Sequence, residues 1–200
     1  MEISMRITKT LWLSIHLTVM GVLISGCSST PPPKKTLDDI CSIFYYDDDW
    51  FDAAQNSFKR WGTPPWIQLA FVHQESTFKP HAKPKMEYFL GIPIGRSSSA
   101  FGYAQATDAA WYDYQKKTGR WNAKRNDIDD ALDFIGWYNY QSFQRLGISR
   151  TDPFKLYLAY HEGHTGYKQR SYLQKAWLPP VAKKVSERAR MYRSQYQQCR

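Results

Sequence analysis

The sequence predicts a mostly α-helical domain, on three observations. Apolar residues recur at helical spacing, capping residues and prolines stand where those stripes begin, and glycines stand where they end. Trp50, Ala54, Phe58 and Trp61 form the first stripe, with Asp47-Asp48-Asp49 to cap its start and Gly62 to stop it. Thr63 and Pro64-Pro65 open a second helix that runs through Trp66, Leu69, Ala70 and His73 toward Glu75. Residues 79–103 change texture: Pro80, Pro84, Gly91, Pro93, Gly95 and Ser97-Ser98-Ser99 read as a long loop or small hairpin. A loop of that length inside a compact domain is often functional.

Thr107 caps the next helix, which ends at Gly119. Asn126 precedes the longest one, with Ala131, Ile135, Tyr138, Ser142 and Leu146 on one face and Gly147 behind it. Asp152-Pro153 starts another, through Leu156 and Tyr160 to Gly163. After Pro179-Pro180, the stripe Val181, Val185, Ala189, Tyr192 and Tyr196 marks the last helix.

Composition narrows the class. At 200 residues, 42% hydrophobic and 22% charged, the chain holds enough apolar material for one core, which excludes wholesale disorder. Twenty-seven Lys and Arg against 18 Asp and Glu leave a charge of +9. A basic surface favours polyanions, whether nucleic acid, anionic lipid headgroups or an anionic cell-wall polymer. Eight Trp, 14 Tyr and 10 Phe suit a groove that stacks sugars or bases, beyond what the core uses.

The first residues read as an address. Arg6 and Lys9 precede an apolar stretch from Leu11 to Ile24, diluted by Ser14, His16 and Thr18. That is short of the ~20 apolar residues a membrane span wants and has the length of a signal-peptide core. Leu23-Ile24-Ser25-Gly26-Cys27 resembles the bacterial lipobox, which implies removal of residues 1–26 and lipidation of Cys27. Residues 27–36, with Ser28-Ser29-Thr30-Pro31-Pro32-Pro33, then form a tether, and 37–200 form the domain. Ser28 after the cysteine, in place of Asp, implies the periplasmic face of the outer membrane by the same resemblance. Removing 1–26 takes away Glu2, Arg6 and Lys9 and leaves 25 basic and 17 acidic residues, so the basic balance of +8 belongs to the domain.

With Cys27 lipidated, Cys41 and Cys199 remain as a pair in an oxidising compartment, where a disulfide is expected. Closing so long a loop contributes ~4 kcal/mol on the chain-entropy model. No Cys-x-x-Cys spacing occurs, so a thiolate metal site is not expected.

Three short segments carry chemistry. In Gln74-Glu75-Ser76-Thr77-Phe78, a Glu ends an apolar helix and enters a polar loop. Apolar neighbours there would lift its pKa above ~4.3 and keep it protonated near neutral pH, as a general acid requires. In Ser98-Ser99-Ala100-Phe101-Gly102-Tyr103-Ala104-Gln105, small residues admit a ligand close to the backbone. Gln105 offers a donor and an acceptor for hydroxyl or acetamido groups. In Leu158-Ala159-Tyr160-His161-Glu162-Gly163, Tyr160 supplies a ring and a hydroxyl near a helix end.

In this order the three segments resemble the soluble lytic transglycosylase family. The family pattern runs Glu-Ser, then Gly-Ala-x-Gly-Leu-Met-Gln, then Ala-Tyr-Asn-Ala-Gly. Here Ser99 replaces the first Gly, Tyr103-Ala104 replace Leu-Met, and His161-Glu162 replace Asn-Ala. The resemblance spans roughly residues 60–170, and Asp133 to Asn139 with the 171–199 tail resemble a lipoprotein branch of the family. It implies a lysozyme-like helical fold with the loop or hairpin beside the active-site cleft, and peptidoglycan glycan strands as substrate. It implies Glu75 as acid and then base, cleaving without water to leave 1,6-anhydro ends. Ser76, Ser98, Ser99, Gln105 and Tyr160 would contact substrate, Tyr160 near Glu75 or the sugar. No cofactor, metal or nucleic acid is implied, and the membrane is a partner through the N-terminal lipid.

Two other readings stay open. One is a hydrolytic muramidase that uses Glu162, Glu87 or Asp108 as a second carboxylate. The other is a wall-binding lipoprotein without catalysis. His73-x-Glu75 is half of a zinc deaminase signature without its cysteines. His161-Glu162-Gly163-His164 is one residue short of His-Glu-x-x-His, so its two His would not share a helix face. The Lys183, Lys184, Arg188, Arg190 and Arg193 set reads most simply as a solvated helix face.

Overall fold

The computed structural model describes residues 30–199. The signal segment 1–26 and Cys27 lie outside the described residues. Within the stretch read as a tether, Pro32 is buried and Lys34–Thr36 form a 3-10 turn that holds no buried residue.

The described residues form seven α-helices and one antiparallel hairpin, the mostly helical architecture expected. Helix α1 (Ile40–Tyr46) is capped by Asp39 and α2 (Asp48–Trp61) by Asp47, whose carboxylates accept the free amides of the first turn. The sequence stripes did not mark α1, which is only seven residues long. On α2 the buried residues are Trp50, Ala53, Ala54 and Ser57, while Phe58 is exposed, so the inward stripe lies beside the one expected. Helix α3 (Pro65–Ser76) opens on proline and is buried along most of its length.

The irregular stretch after α3 contains the hairpin: β1 (Met86–Phe89) pairs with β2 (Ile92–Arg96), with a register shift at Glu87/Tyr88. Thr107 caps α4 (Asp108–Thr118). Helix α5 (Ile128–Leu146) is capped by Asp127, one residue later than Asn126. Helix α6 (Pro153–Lys168) passes beyond Gly163, and α7 (Leu178–Tyr196) starts early enough to hold Pro179 and Pro180 in its first turn. Proline fits there because first-turn amides lack helical partners anyway.

Helix α2 packs on α5, and α3 packs on α7. The centre is aromatic: Tyr114, Phe134 and Trp137 meet edge-on or tilted between α4 and α5. The Asp133 carboxylate inside this layer accepts from Trp61 Nε1 (2.8 Å), Tyr114 Oη (2.7 Å) and Arg60 (3.2 Å), so its burial is compensated. Cys41 on α1 is bonded to Cys199 beyond α7, with Cα atoms 5.0 Å apart across 158 residues of chain.

Candidate active site

Glu75 stands in the last turn of α3, where two left-handed residues, Thr77 (φ 51°) and Phe78 (φ 57°), break the helix. Non-glycine residues in that region cost about 1–3 kcal/mol each. Phe78 is held there by full burial and by stacking on Trp50 at 5.6 Å. The turn points the end of α3 into a cleft of about 450 Å³, whose walls include Glu75, Ser98, Gln105, Tyr138, Tyr160 and Glu162. Burial raises the Glu75 pKa to about 7, against a hydrogen bond from Tyr157 that pulls it down. Both neighbouring phenols, Tyr157 and Tyr160, are held well above their ordinary range by burial and by Glu75 itself, so they remain donors.

Helix α6 forms one wall. The Tyr160 hydroxyl donates to the Ala104 carbonyl at 2.6 Å, and its ring lies edge-on to Phe71 (5.3 Å) and Tyr138 (5.1 Å). Tyr160 therefore ties α6 to the 101–106 turn, and Tyr157, one turn earlier on α6, bonds to Glu75. Sequence reasoning missed Tyr157; its only signal was the i, i+3 spacing to Tyr160. Gly163 sits within α6 at φ 73° and ψ 161°, a region only glycine occupies readily. The resulting kink separates His161 from His164. His161 Nδ1 lies 3.0 Å from Glu162 and its ring meets Trp177 at 5.0 Å, whereas His164 stacks on Tyr138 at 4.6 Å.

The opposite wall is the turn around Gly102. A Cβ at that position would lie 1.9 Å from the Arg125 carbonyl oxygen, so glycine is needed for the close approach. The Gly102 and Tyr103 amides donate to Ala82 O and Arg125 O. Gln105 adopts φ 47°, and its amide nitrogen donates to Ala82 O and Gly102 O, both at 2.9 Å. That leaves its carbonyl oxygen as the atom for a ligand, an acceptor rather than the donor-and-acceptor pair expected.

The serines divide. Ser98 lines the cleft, and its hydroxyl accepts from Ala100 N at 3.1 Å. Ser99 lies outside it, in an adjoining hollow, where its hydroxyl accepts from Asp108 N at 3.0 Å. Ser76 is buried and donates to Val72 O at 3.1 Å, a bond within its own helix. Ser76 is thus turned into its own helix, and Ser99 opens onto the adjoining hollow rather than the cleft.

Of the three carboxylates considered as partners for Glu75, Glu87 is exposed on β1 and Asp108 is paired with Arg125 at 2.7 Å outside the cleft. Glu162 lines the cleft but is engaged by Lys175 Nζ (2.7 Å), His161 Nδ1 (3.0 Å) and the Ser171 hydroxyl. Burial alone would raise its pKa; those hydrogen bonds overcome burial and bring it down to about 2.

A second hollow, about 490 Å³, lies behind α3 and is lined by His73, Gln74, Asp38, Lys184 and Arg188. Burial and the Arg188 charge lower the His73 pKa to about 4, and Glu75 does not line this hollow. Among the described residues, no three His, Cys, Asp or Glu side chains converge to hold a metal ion.

The sequence model of one family, described as a transglycosylase SLT domain, matches residues 15–199. No curated protein matches the chain, and no solved structure does.

Proposed function

The chain belongs to the transglycosylase SLT domain family, which supports a lytic transglycosylase acting on peptidoglycan, and from that premise we propose that Glu75 is its acid and then its base. The observation that carries this reading is a lone protonatable carboxyl. Glu75 sits on the cleft floor with a pKa near 7, and the other carboxylate of the cleft, Glu162, is held ionised by its donors.

Protonated Glu75 gives its proton to the oxygen linking N-acetylmuramic acid to N-acetylglucosamine. Positive charge then develops at the anomeric carbon and is relieved by the substrate's own acetamido oxygen. Ionised Glu75 next takes the proton of the muramoyl 6-hydroxyl, whose oxygen bonds to the anomeric carbon. The product is a 1,6-anhydro sugar, and Glu75 ends as it began. One carboxyl suffices, where ordinary glycosidases use two at ~5–5.5 or ~6.5–9.5 Å. A pKa near neutral suits both halves of the cycle. Gln105 Oε1 and Ser98 receive the substrate's polar groups, and the basic domain, +8 without residues 1–26, attracts the anionic wall.

Cys27 is proposed as the lipid attachment site, with the domain held at the periplasmic face of the outer membrane. Its test is incorporation of radiolabelled palmitate into wild type and its loss in Cys27→Ser.

Digestion of purified sacculi tests the chemistry. Wild type is expected to release muropeptides with 1,6-anhydro ends, and Glu75→Gln none. Reducing ends would support the hydrolytic reading, and no release by wild type would support binding alone.

A further inference from the structure

The hairpin is built against the rules for a strand pair in water. Tyr88, Phe89, Leu90, Ile92 and Ile94 are all exposed, Leu90 at 87%. Cross-strand partners share a face, so Phe89 and Ile92 project on one side and Tyr88 and Pro93 on the other. Both faces and the tip are therefore apolar. A hairpin that docked on a protein or lay on its own core would need only one apolar face. Sugar stacking needs a flat ring platform, whereas the two rings here point apart and aliphatic residues hold the tip.

The turn repeats the anomaly. Leu90 (φ 50°) and Gly91 (φ 82°) are both left-handed, as a two-residue hairpin turn requires. Asn or Asp is the residue that suits the first position, yet an apolar Leu occupies it fully in solvent. Neither conformation nor burial favours Leu90 in the folded protein alone.

Charge surrounds the root of the hairpin. Residues 79–96 hold Lys79, Lys83, Lys85 and Arg96 against one acid, Glu87. Beside the root is a hollow of about 370 Å³ where Lys83, Arg96 and Arg125 converge with Ser98 and Ser99, and Asp108 is the one acid among them. Lys83 and Arg125 flank the Phe101 ring at 5.3 and 5.4 Å. Among the described residues no helix is long and apolar enough to cross a membrane, so lipid contact through them would be interfacial.

We propose that this hairpin inserts its tip into a bilayer of anionic phospholipid, with the basic hollow at its root receiving a phosphate headgroup. The apolar tip enters the acyl region and the collar stays at headgroup depth, the order that Lys and Arg side chains near an interface adopt. The inference is independent of the Glu75 chemistry.

The test uses the full chain carrying Cys27→Ser and Leu90→Cys, labelled at position 90 with an environment-sensitive fluorophore. The readout is local, so lipid contact elsewhere does not register. With phosphatidylglycerol vesicles the emission is expected to rise several-fold, shift to the blue, and be quenched by nitroxide on the acyl chains. Phosphatidylcholine vesicles should give little change. Lys83→Glu with Arg96→Glu should weaken the response about tenfold or more, with an unchanged thermal melt to show that the exposed substitutions leave the fold intact. A label that stays aqueous with both vesicles overturns the proposal. So does a response to isolated glycan strands in place of lipid, or one that follows protein concentration alone. Adding Glu75→Gln should leave the lipid response unchanged, which keeps this result separate from the proposed reaction.

Discussion

The Tyr157 hydroxyl donates to the Glu75 carboxyl and opposes the burial that lifts Glu75 to about 7. The bond favours the ionised form, so its removal lets burial act unopposed. Tyr157→Phe is expected to move the Glu75 pKa above about 7 and to carry the alkaline limb of the pH–rate profile for muropeptide release upward with it. A profile that keeps its limb while only the rate falls would show that Tyr157 acts through packing alone.

Glu75 also makes the protein less stable than its core allows. Its folded pKa lies near 7 and its ordinary value near 4.5, so between them the folded state holds a proton that the unfolded state has lost. Stability therefore falls as pH rises through that window and stays low above it. Glu75 keeps some solvent contact, which discounts the effect, so Glu75→Gln is expected to be more stable than wild type by about 1–3 kcal/mol near pH 8. Urea melts should show the gap closing near pH 4, and a gap independent of pH would count against the raised pKa.

Glu162 has the opposite sign. Its side chain is 2% exposed, and its pKa of about 2 lies below the ordinary 4.5. Its stabilisation is present above 4.5 and fades as pH falls toward 2. The half-exposed Lys175 partner reduces the gain, so Glu162→Gln should cost about 1–2 kcal/mol at neutral pH and less in acid. Its digestion products should keep anhydro ends; loss of a hydrolytic product would instead reveal Glu162 as a second catalytic carboxylate.

Gly163 fixes the direction of the α6 wall. Gly163→Ala forces a side chain into φ 73°, ψ 161° and should cost about 1–3 kcal/mol. Muropeptide release should fall further than the stability loss explains, because Tyr160, His161 and Glu162 stand directly before the kink. Equal melts and full activity would mean that the backbone relaxes without moving them.

Reduction of the Cys41–Cys199 bond removes a restraint on the unfolded chain. Cys199→Ser is expected to lower stability by about 2–5 kcal/mol while leaving cleavage per folded molecule unchanged. A calorimetric melt beside an activity assay at low temperature separates the two effects.

The long helices were legible because their periodicity and punctuation agree: Asp47 with Gly62 around α2, Thr107 with Gly119 around α4. Helix α1 was not, since seven residues are too few for a stripe to repeat. Glu75, Ser98, Gln105 and Tyr160, read from the sequence as one set, line the same cleft. What single positions could not tell was where a hydroxyl points. Ser76 turns back to Val72 and Ser99 to Asp108, because each finds a backbone partner within its own segment. Tyr157 reads in sequence as one more core aromatic, and only the packing of α6 against α3 gives its hydroxyl a target. Residues 86–94 read in sequence as part of a long loop or small hairpin, and the exposure of their apolar side chains emerges from the fold alone.

The bond between Cys41 and Cys199 lies at both margins of the described chain, with α1 on one side and α7 on the other. A pull on any residue upstream of Cys41 is handed across that strut to the far end of the polypeptide. Were the chain held at its two ends, that load would pass through the sulfurs and would not draw out the chain between them.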